Sequence, residues 1–306
     1  MRASQGGLAV VVAMLAIALA STIAIGMIDT QLLRARAYEN AAARAQADSV
    51  ARAAAHWAAA ILAEDDRAVD HLGEPWARRA PPFFAERGEV QGALADEQAR
   101  FNLNNLARAG VASPRDVLIL QRLLQSLGLP AGLADALADW LDADAVPTGT
   151  AGAEDAYYQS LEPPYRTANR RLTELGELAR VRGFTPQVVA ALAPYVTVLP
   201  VESRVNVNTA DALVLRAIVP SLGPEETRRV IETRRQRPYR TREDFIRDLS
   251  EPPAAPVDAD LDVRSRWFSA AATIRLERTT ARYRVLLDRP EGGGFPLVVA
   301  SMPEAF

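Results

Sequence analysis

Gly6-Gly7-Leu8-Ala9-Val10-Val11-Val12-Ala13-Met14-Leu15-Ala16-Ile17-Ala18-Leu19-Ala20-Ser21-Thr22-Ile23-Ala24-Ile25-Gly26-Met27-Ile28 carries no charge, and a polar head, Met1-Arg2-Ala3-Ser4-Gln5, leads into it. From Leu8 to Ile28 a helix rising ~1.5 Å per residue covers roughly 31 Å, about the thickness of a bilayer's hydrocarbon core. The run is therefore predicted to span a membrane. A cleavable secretory signal would have a shorter apolar core, a small-x-small cleavage site and a break in the helix. That break is missing. Fifteen alanines lie between Ala35 and Ala63, and neither Gly nor Pro occurs from Asp29 to Leu72. Such a composition favours continued helix, so the membrane segment and the alanine-rich stretch beyond it read as one helix to about Glu64, roughly 85 Å long.

Arg2 is the only charge before the span, against Asp29, Arg34 and Arg36 just after it, so local charge hardly decides orientation. The chain of 306 residues leaves enough sequence beyond the anchor for more than one core. Cysteine is absent, which removes disulfides, thiol catalysis and cysteine metal sites. A formal net charge of −3 gives no general attraction to nucleic acid.

On the helix, Val50, Ala54, Trp57, Ile61 and Leu62 share one face, opposite Asp48, Arg52 and Ala59, and that stripe is predicted to pack on a sheet. His71 to Glu89 is rich in Pro and Gly and reads as loop. Glu89–Leu94 and Glu97–Leu103 read as strands, the second alternating Ala99, Phe101 and Leu103. Ser113-Pro114 then caps a helix whose Val117, Leu120, Leu123, Leu124 and Leu127 form a stripe ended by Gly128 and Pro130. Further helices are predicted over 131–141, 171–180, 186–192, 209–219, 224–237 and 242–249. After a Pro-rich linker, Glu251 to Pro256, strands return at 271–276, 283–287 and 297–300, with Gly292-Gly293-Gly294 as a hairpin turn between the last two. The expected class is α+β: a long helix on a small antiparallel sheet, with an all-α lobe inserted between strands.

The Gly6-Gly7 pair between a polar leader and an apolar helix resembles the type IV prepilin signal. In that family a prepilin peptidase on the cytoplasmic face cuts after the glycine, and the apolar stretch becomes the mature N-terminus. The resemblance implies a cut between Gly7 and Leu8, or one residue earlier, followed by methylation. The family usually carries Glu at the fifth mature position, where this chain has Val12, or Val11 for the earlier cut. A carboxylate in a bilayer is expensive without a partner, so its absence removes an axial docking contact. Among the pseudopilins of type II secretion, the K-subunit family is the one that lacks this Glu and is the largest. The phrases Asp96-Glu97-Gln98-Ala99-Arg100-Phe101-Asn102-Leu103-Asn104, Asp139-Trp140-Leu141-Asp142-Ala143-Asp144, Ala153-Glu154-Asp155-Ala156-Tyr157-Tyr158 and Pro163-Pro164-Tyr165 also resemble that family.

The resemblance covers nearly the whole chain. It implies a leader at 1–7, a transmembrane helix at 8–28, a pseudopilin helix with first strands at 29–105, an inserted helical domain at 106–256 and the remaining strands at 257–306. It implies a single-pass protein of the inner membrane of a Gram-negative bacterium, with its bulk in the periplasm. The expected partners are the I and J minor pseudopilins, held through the helix from about Tyr38 to Leu62 with Val50, Trp57 and Ile61 at the interface. The expected role is at the tip of the pseudopilus, where the subunit starts and caps the filament for export of folded proteins.

For chemistry, the strongest cluster is Asp142, Asp144, Glu154 and Asp155. Alternating carboxylates after a helix, with an acidic pair ten residues on, can converge oxygens on one hard cation such as calcium. Zinc would call for His or Cys. The EF-hand spacing is absent, and a solvated acidic loop fits the spacing as well. Resemblance to the K-subunit family implies calcium here, in a structural role. Val205 to Asp244, with the turn Pro220-Ser221-Leu222-Gly223, resembles the helix-hairpin-helix, SAM-like module of some DNA-binding proteins. A membrane-tethered nucleic-acid-binding protein using residues 205–245 is thus the alternative function. Only one glycine of the Gly-apolar-Gly turn remains, however, and Glu225, Glu226, Glu232, Glu243 and Asp244 are interleaved with Arg228, Arg229, Arg234, Arg235 and Arg237, so no nucleic acid is expected. His56 and His71 have no nucleophile phrase beside them, and no enzyme activity is expected.

Overall fold

The long helix forms because its sequence carries no proline and, past Gly26, no glycine, and it is unbroken. The computed structural model describes residues 5–85, 88–253, 257, 260–276 and 279–303. Met1–Ser4 of the leader, residues 254–256 of the linker and the last three residues lie outside the described residues. Helix α1 spans Gln5–Glu64, sixty residues, or ~90 Å at the usual rise. Within the apolar run, the Thr22 hydroxyl donates to Ala18 O at 2.9 Å, so it is satisfied inside the helix. Val10, Val11, Met14, Leu15, Ile17 and Leu19 are exposed. Among the described residues no helix is long and apolar enough to cross a membrane.

Beyond α1 come β1 (Phe83–Ala85) and β2 (Gly88–Asp96). A helical region comes next: β3 (Phe101–Asn102), β4 (Ala107–Arg108), β5 (Val111–Ala112), α2 (Pro114–Ser126), α3 (Leu133–Leu141), α4 (Asp155–Tyr158), α5 (Pro186–Leu192), β6 (Val196–Thr197), β7 (Val205–Asn206), α6 (Ala212–Ile218), α7 (Pro224–Gln236), α8 (Arg242–Asp248) and β8 (Leu261–Asp262). The chain then returns as β9 (Trp267–Leu276), β10 (Thr279–Asp288) and β11 (Leu297–Pro303). The main sheet has the order β1-β2-β9-β10-β11 with antiparallel neighbours. Asp96 at the end of β2 pairs with Phe268 in β9, so everything between them leaves and re-enters the sheet at adjacent strands. Short parallel pairs, β3 with β6 and β7 with β8, tie the two ends of the lobe together.

The helix packs on the sheet with a different face from the one expected. Its buried residues are Ala47, Ala51, Ala55, Ala58, Ala59 and Leu62, against Phe268, Ala270, Ile274, Val285 and Leu287. Ala59, assigned to the outer face, is buried, and Trp57, assigned to the packed face, is 56% exposed. Small side chains let the helix sit close to the sheet, and the bulkier Val50, Trp57 and Ile61 are left along its flank. Other differences are local. Residues 97–103 are no continuous strand: Glu97–Ala99 and Leu103–Leu106 are 3-10 turns, started by Asp96 and Asn102 side chains accepting from Gln98 N at 2.8 Å and Asn104 N at 3.1 Å. The helix expected at 171–180 is a 3-10 helix over Leu175–Arg180 only. The stretch read as loop from His71 to Glu89 contains β1 and the start of β2, the strand β1 directly following Pro81-Pro82, as suits an edge.

Candidate metal centre and adjoining surfaces

Helix α3 is buried along its length, and two carboxylates crowd its C-terminal end. Asp139 is fully buried and Asp142 nearly so, where the partial negative charge of the helix end disfavours anions. The next loop bends back through Gly149, at φ +58°, so that Thr148 N donates to Asp139 Oδ1 at 2.8 Å. Gly152 is held against Asp139: a Cβ there would lie 2.4 Å from Asp139 Oδ2 and 2.5 Å from Thr148 O, so only glycine fits. The chain then presents Glu154 at the start of α4.

Carboxylate oxygens of Asp142, Asp144 and Glu154 lie within 4.8 Å of one another. Asp142 Oδ1, Glu154 Oε1 and Asp139 Oδ2 are buried with no hydrogen-bond partner. Burial and the neighbouring Asp144 and Asp139 push Asp142 up to about 6. Burial, then Asp139, Asp142 and Asp144, push Glu154 up to about 7. Unpaired buried carboxylates are costly unless a proton or a cation neutralises them. An all-oxygen donor set of this kind fits a hard divalent cation such as calcium rather than zinc.

Of the four residues expected to converge, three do. Asp155 faces away: its Oδ1 accepts from Thr167 N at 2.9 Å and the Thr167 hydroxyl at 2.8 Å, contacts that lower its pKa. It serves to tie α4 to residue 167. Asp139, quoted in the sequence phrase but given no role, borders the site, and the i, i+3 spacing of Asp139 and Asp142 at a helix end was the signal for it. Beneath the site Trp140 meets Tyr158 edge to face at 5.1 Å, and Tyr165 lies 5.3 Å from Tyr158.

A second acidic group, Asp65, Asp70 and Glu74, also gathers its oxygens, but protein donors fill it. Arg289 pairs with Asp65 at 2.9 Å and with Asp70. Ser265 N donates to Asp70 at 2.7 Å, and Trp76 Nε1 and His71 N donate to Glu74 at 2.6 and 2.9 Å. His71 donates nothing to a candidate nucleophile: its Nδ1 accepts from Gly73 N, and His56 is exposed on α1.

The segment expected to resemble a helix-hairpin-helix turns its polar groups inward. Asn206 donates to Asp70 O at 3.0 Å, Asp96 Oδ2 at 3.2 Å and the Ser265 hydroxyl at 3.0 Å. Thr209 and Ser265 donate to the same Asp96 oxygen at 2.6 and 2.7 Å. This buried knot joins the lobe to the sheet. Asn208 bridges to Tyr239, and Arg234 is buried, donating to the carbonyls of Val207 and Ala210. Arg228, Arg229, Arg235, Arg242 and Arg247 are each paired with a carboxylate. Glu225 and Glu226 occupy the first turn of α7, where a phosphate would have to bind. The nucleic-acid reading finds no support.

Gly7 and Leu8 lie within the first turns of α1. Of the expected partner-facing residues, Tyr38 is 77% exposed, Trp57 is exposed, and Val50 and Ile61 are half-buried.

Two family models described as "Type II secretion system (T2SS), protein K" match residues 99–201 and 205–267. Type II secretion system protein K of Pseudomonas aeruginosa is 34% identical over 289 residues, covering 90% of this chain and 86% of that protein. The protein of the same description from Aeromonas hydrophila is 33% identical over 308 residues, covering 93% of each. A chain in the crystal structure of the GspK-GspI-GspJ complex from enterotoxigenic Escherichia coli superposes with a TM-score of 0.75 at 25% identity, over 89% of this chain and all of that one.

Proposed function

From the premise that this chain belongs to the type II secretion system protein K family, a minor pseudopilin of that machinery, we propose that it occupies the tip of the periplasmic pseudopilus, where it starts and caps the filament. The observation that carries this reading is the helical lobe emerging between β2 and β9. A body of that size at one end of the sheet obstructs a further subunit above it, while α1 below is free to bundle with other helices. The family is a structural component of a secretion machine, and the geometry offers assembly rather than turnover.

In this reading the run Leu8–Ile28 anchors the chain in the inner membrane after a prepilin peptidase cuts at Gly7-Leu8, with the bulk in the periplasm. The apolar side chains exposed on α1 from Val10 to Met27 suit lipid or neighbouring helices. Its partners are the I and J minor pseudopilins, consistent with the GspK-GspI-GspJ complex of the E. coli relative. Asp142, Asp144 and Glu154 hold calcium, with Asp139 beside them. A bound calcium ion supplies the positive charge that the buried, unpaired oxygens lack, and so fixes the loop 143–153 against α3 and α4.

The test is assembly of the full-length chain in detergent with its I and J partners. A stable ternary complex is expected, and its absence overturns the tip reading. Calcium at a hundred times its dissociation constant is expected to stabilise the chain by about 2.7 kcal/mol, read as a rise in melting temperature that a chelator reverses. Glu154→Gln should abolish that rise.

A further inference from the structure

A cleft of about 450 Å³ opens where the lobe meets the sheet, a volume within the ~300–1,000 Å³ of ordinary ligand pockets. It shares no lining residue with the candidate metal centre. Its lobe wall is Arg108 of β4 and the strap 201–204, and its sheet wall is Arg67, the connection 264–267 into β9 and the turn 289–291 after β10. Six of the lining residues are arginines, against three carboxylates, Glu202, Asp262 and Glu291.

Three of the arginines are committed elsewhere. Arg289 is held by Asp65 and Asp70, Arg266 makes a two-pronged contact with Asp288 at 2.6 and 2.8 Å, and Arg108 donates to Asp116 at 3.0 Å. The other three are not. Arg204 and Arg264 are exposed and share a single carboxylate, Asp262, at 3.4 and 3.6 Å, longer than a strong charge-assisted hydrogen bond. Arg67 donates to the carbonyls of Pro290, at 2.8 Å, and Gly294, and makes no ion pair among the described residues.

One side chain fixes both walls. Gln98, almost fully buried, donates from Nε2 to Arg204 O at 2.9 Å and accepts at Oε1 from Arg266 N and Trp267 N at 2.7 and 3.2 Å. Asn102 donates to Val201 O at 2.9 Å and Asn105 to Ser203 O at 2.8 Å, which holds the strap. The backbone that carries Arg204 and Arg264 is therefore set before anything binds, and binding costs less ordering. Guanidinium groups match the two oxygens of a carboxylate. The three carboxylates in the lining repel a dianionic phosphate more strongly than a single carboxylate. The apolar lining is Val201, Trp267 and Pro290, too little for a hydrophobic ligand, and the cleft is much larger than one carboxylate, so the charge arrives on a longer polar chain.

We propose that this cleft binds an acidic peptide segment of another protein, with a side-chain carboxylate seated between Arg204 and Arg264 and Arg67 as a further donor in the same cleft. The proposal is independent of the tip reading and of the calcium site.

The experiment is calorimetric titration of the full-length chain in detergent with a capped Gly-Glu-Glu-Gly peptide and its Gly-Gln-Gln-Gly counterpart, for wild type and the double variant Arg204→Gln/Arg264→Gln. Both arginine side chains are exposed, so the melting temperature should hold. The acidic peptide is expected to bind wild type with an affinity that falls as salt is raised, and at least tenfold more weakly to the double variant. The glutamine peptide should bind wild type at least tenfold more weakly than the acidic one. Should the double variant unfold, Arg264→Gln alone is expected to weaken binding at least threefold. No binding of the acidic peptide to wild type, or equal affinity in the folded variants, overturns the proposal. Glutarate or inorganic phosphate binding as tightly as the peptide would make a free anion the ligand and overturn it too.

Discussion

Where α1 meets the sheet, the helix contributes Ala47, Ala51, Ala55, Ala58, Ala59 and Leu62, whereas the lobe buries Leu103, Leu106, Leu120, Leu123, Leu124, Leu137, Leu178 and Leu192 around Trp140 and Tyr158. Each methylene removed from water is worth ~0.8 kcal/mol, so the lobe gains far more per buried residue. The sheet half depends instead on its antiparallel ladders, on close approach of the helix and on the polar knot around Asp70 and Asp96. Of its large apolar side chains, Trp76 and Phe268 are buried between helix and sheet, while Trp57 and Phe83 face outward. One half is built to be stable alone, and the other to be completed by neighbours.

That contrast can be broken most forcefully at the knot. Arg289 is buried and partners both Asp65 and Asp70, so Arg289→Met strands two carboxylates and should cost ~3–5 kcal/mol in denaturant unfolding. In the lobe, Leu137→Ala removes a fully buried leucine and should cost about 3 kcal/mol. A smaller effect is pH-dependent. Burial, only partly offset by the Thr209 and Ser265 hydroxyls, pushes Asp96 up to about 6, above its unfolded value of ~3.9. Because the folded form holds its proton more tightly, this stabilisation is complete below pH ~4 and is lost as pH rises through about 6, by on the order of 2 kcal/mol between pH ~4.5 and ~7. Asp96→Asn should flatten that slope, which unfolding at pH 4.5 and pH 7 would reveal. Smallest of all, Trp57→Ala should change folding stability by less than ~0.5 kcal/mol; a loss of several kcal/mol would mean that the flank is core after all.

The lobe's helices were legible because their ends carry local chemistry. Pro186 starts α5 after the Thr185 cap, Pro224 opens α7, and Thr241 with Asp244 closes a capping box on α8. The packed face of α1 was not legible. In an alanine-rich helix every face is weakly apolar, so a stripe drawn through Val50 and Trp57 outweighs the alanines, while the sheet selects for small size. Residues 97–103 alternate like a strand, yet Asp96 and Asn102 cap turns there, a competition decided by side-chain hydrogen bonds to the backbone. At the candidate metal centre Asp142, Asp144 and Glu154 were visible as spaced acids. The rotation of Asp155 toward Thr167 depends on a partner twelve residues away, which spacing cannot register.

The pairing of β2 with β9 also governs the order of folding. These neighbours are separated by the entire lobe, so joining them in an unfolded chain would mean closing a very long loop, and non-local pairings of this kind are slow. The penalty grows only with the logarithm of the disordered length, and a lobe that has already folded brings Asp96 near Trp267 through its own β3–β6 and β7–β8 ties. The lobe therefore acts as a template, and the sheet zips last, after the N-terminal helix has long since emerged and while its outward flank is still open to a neighbour.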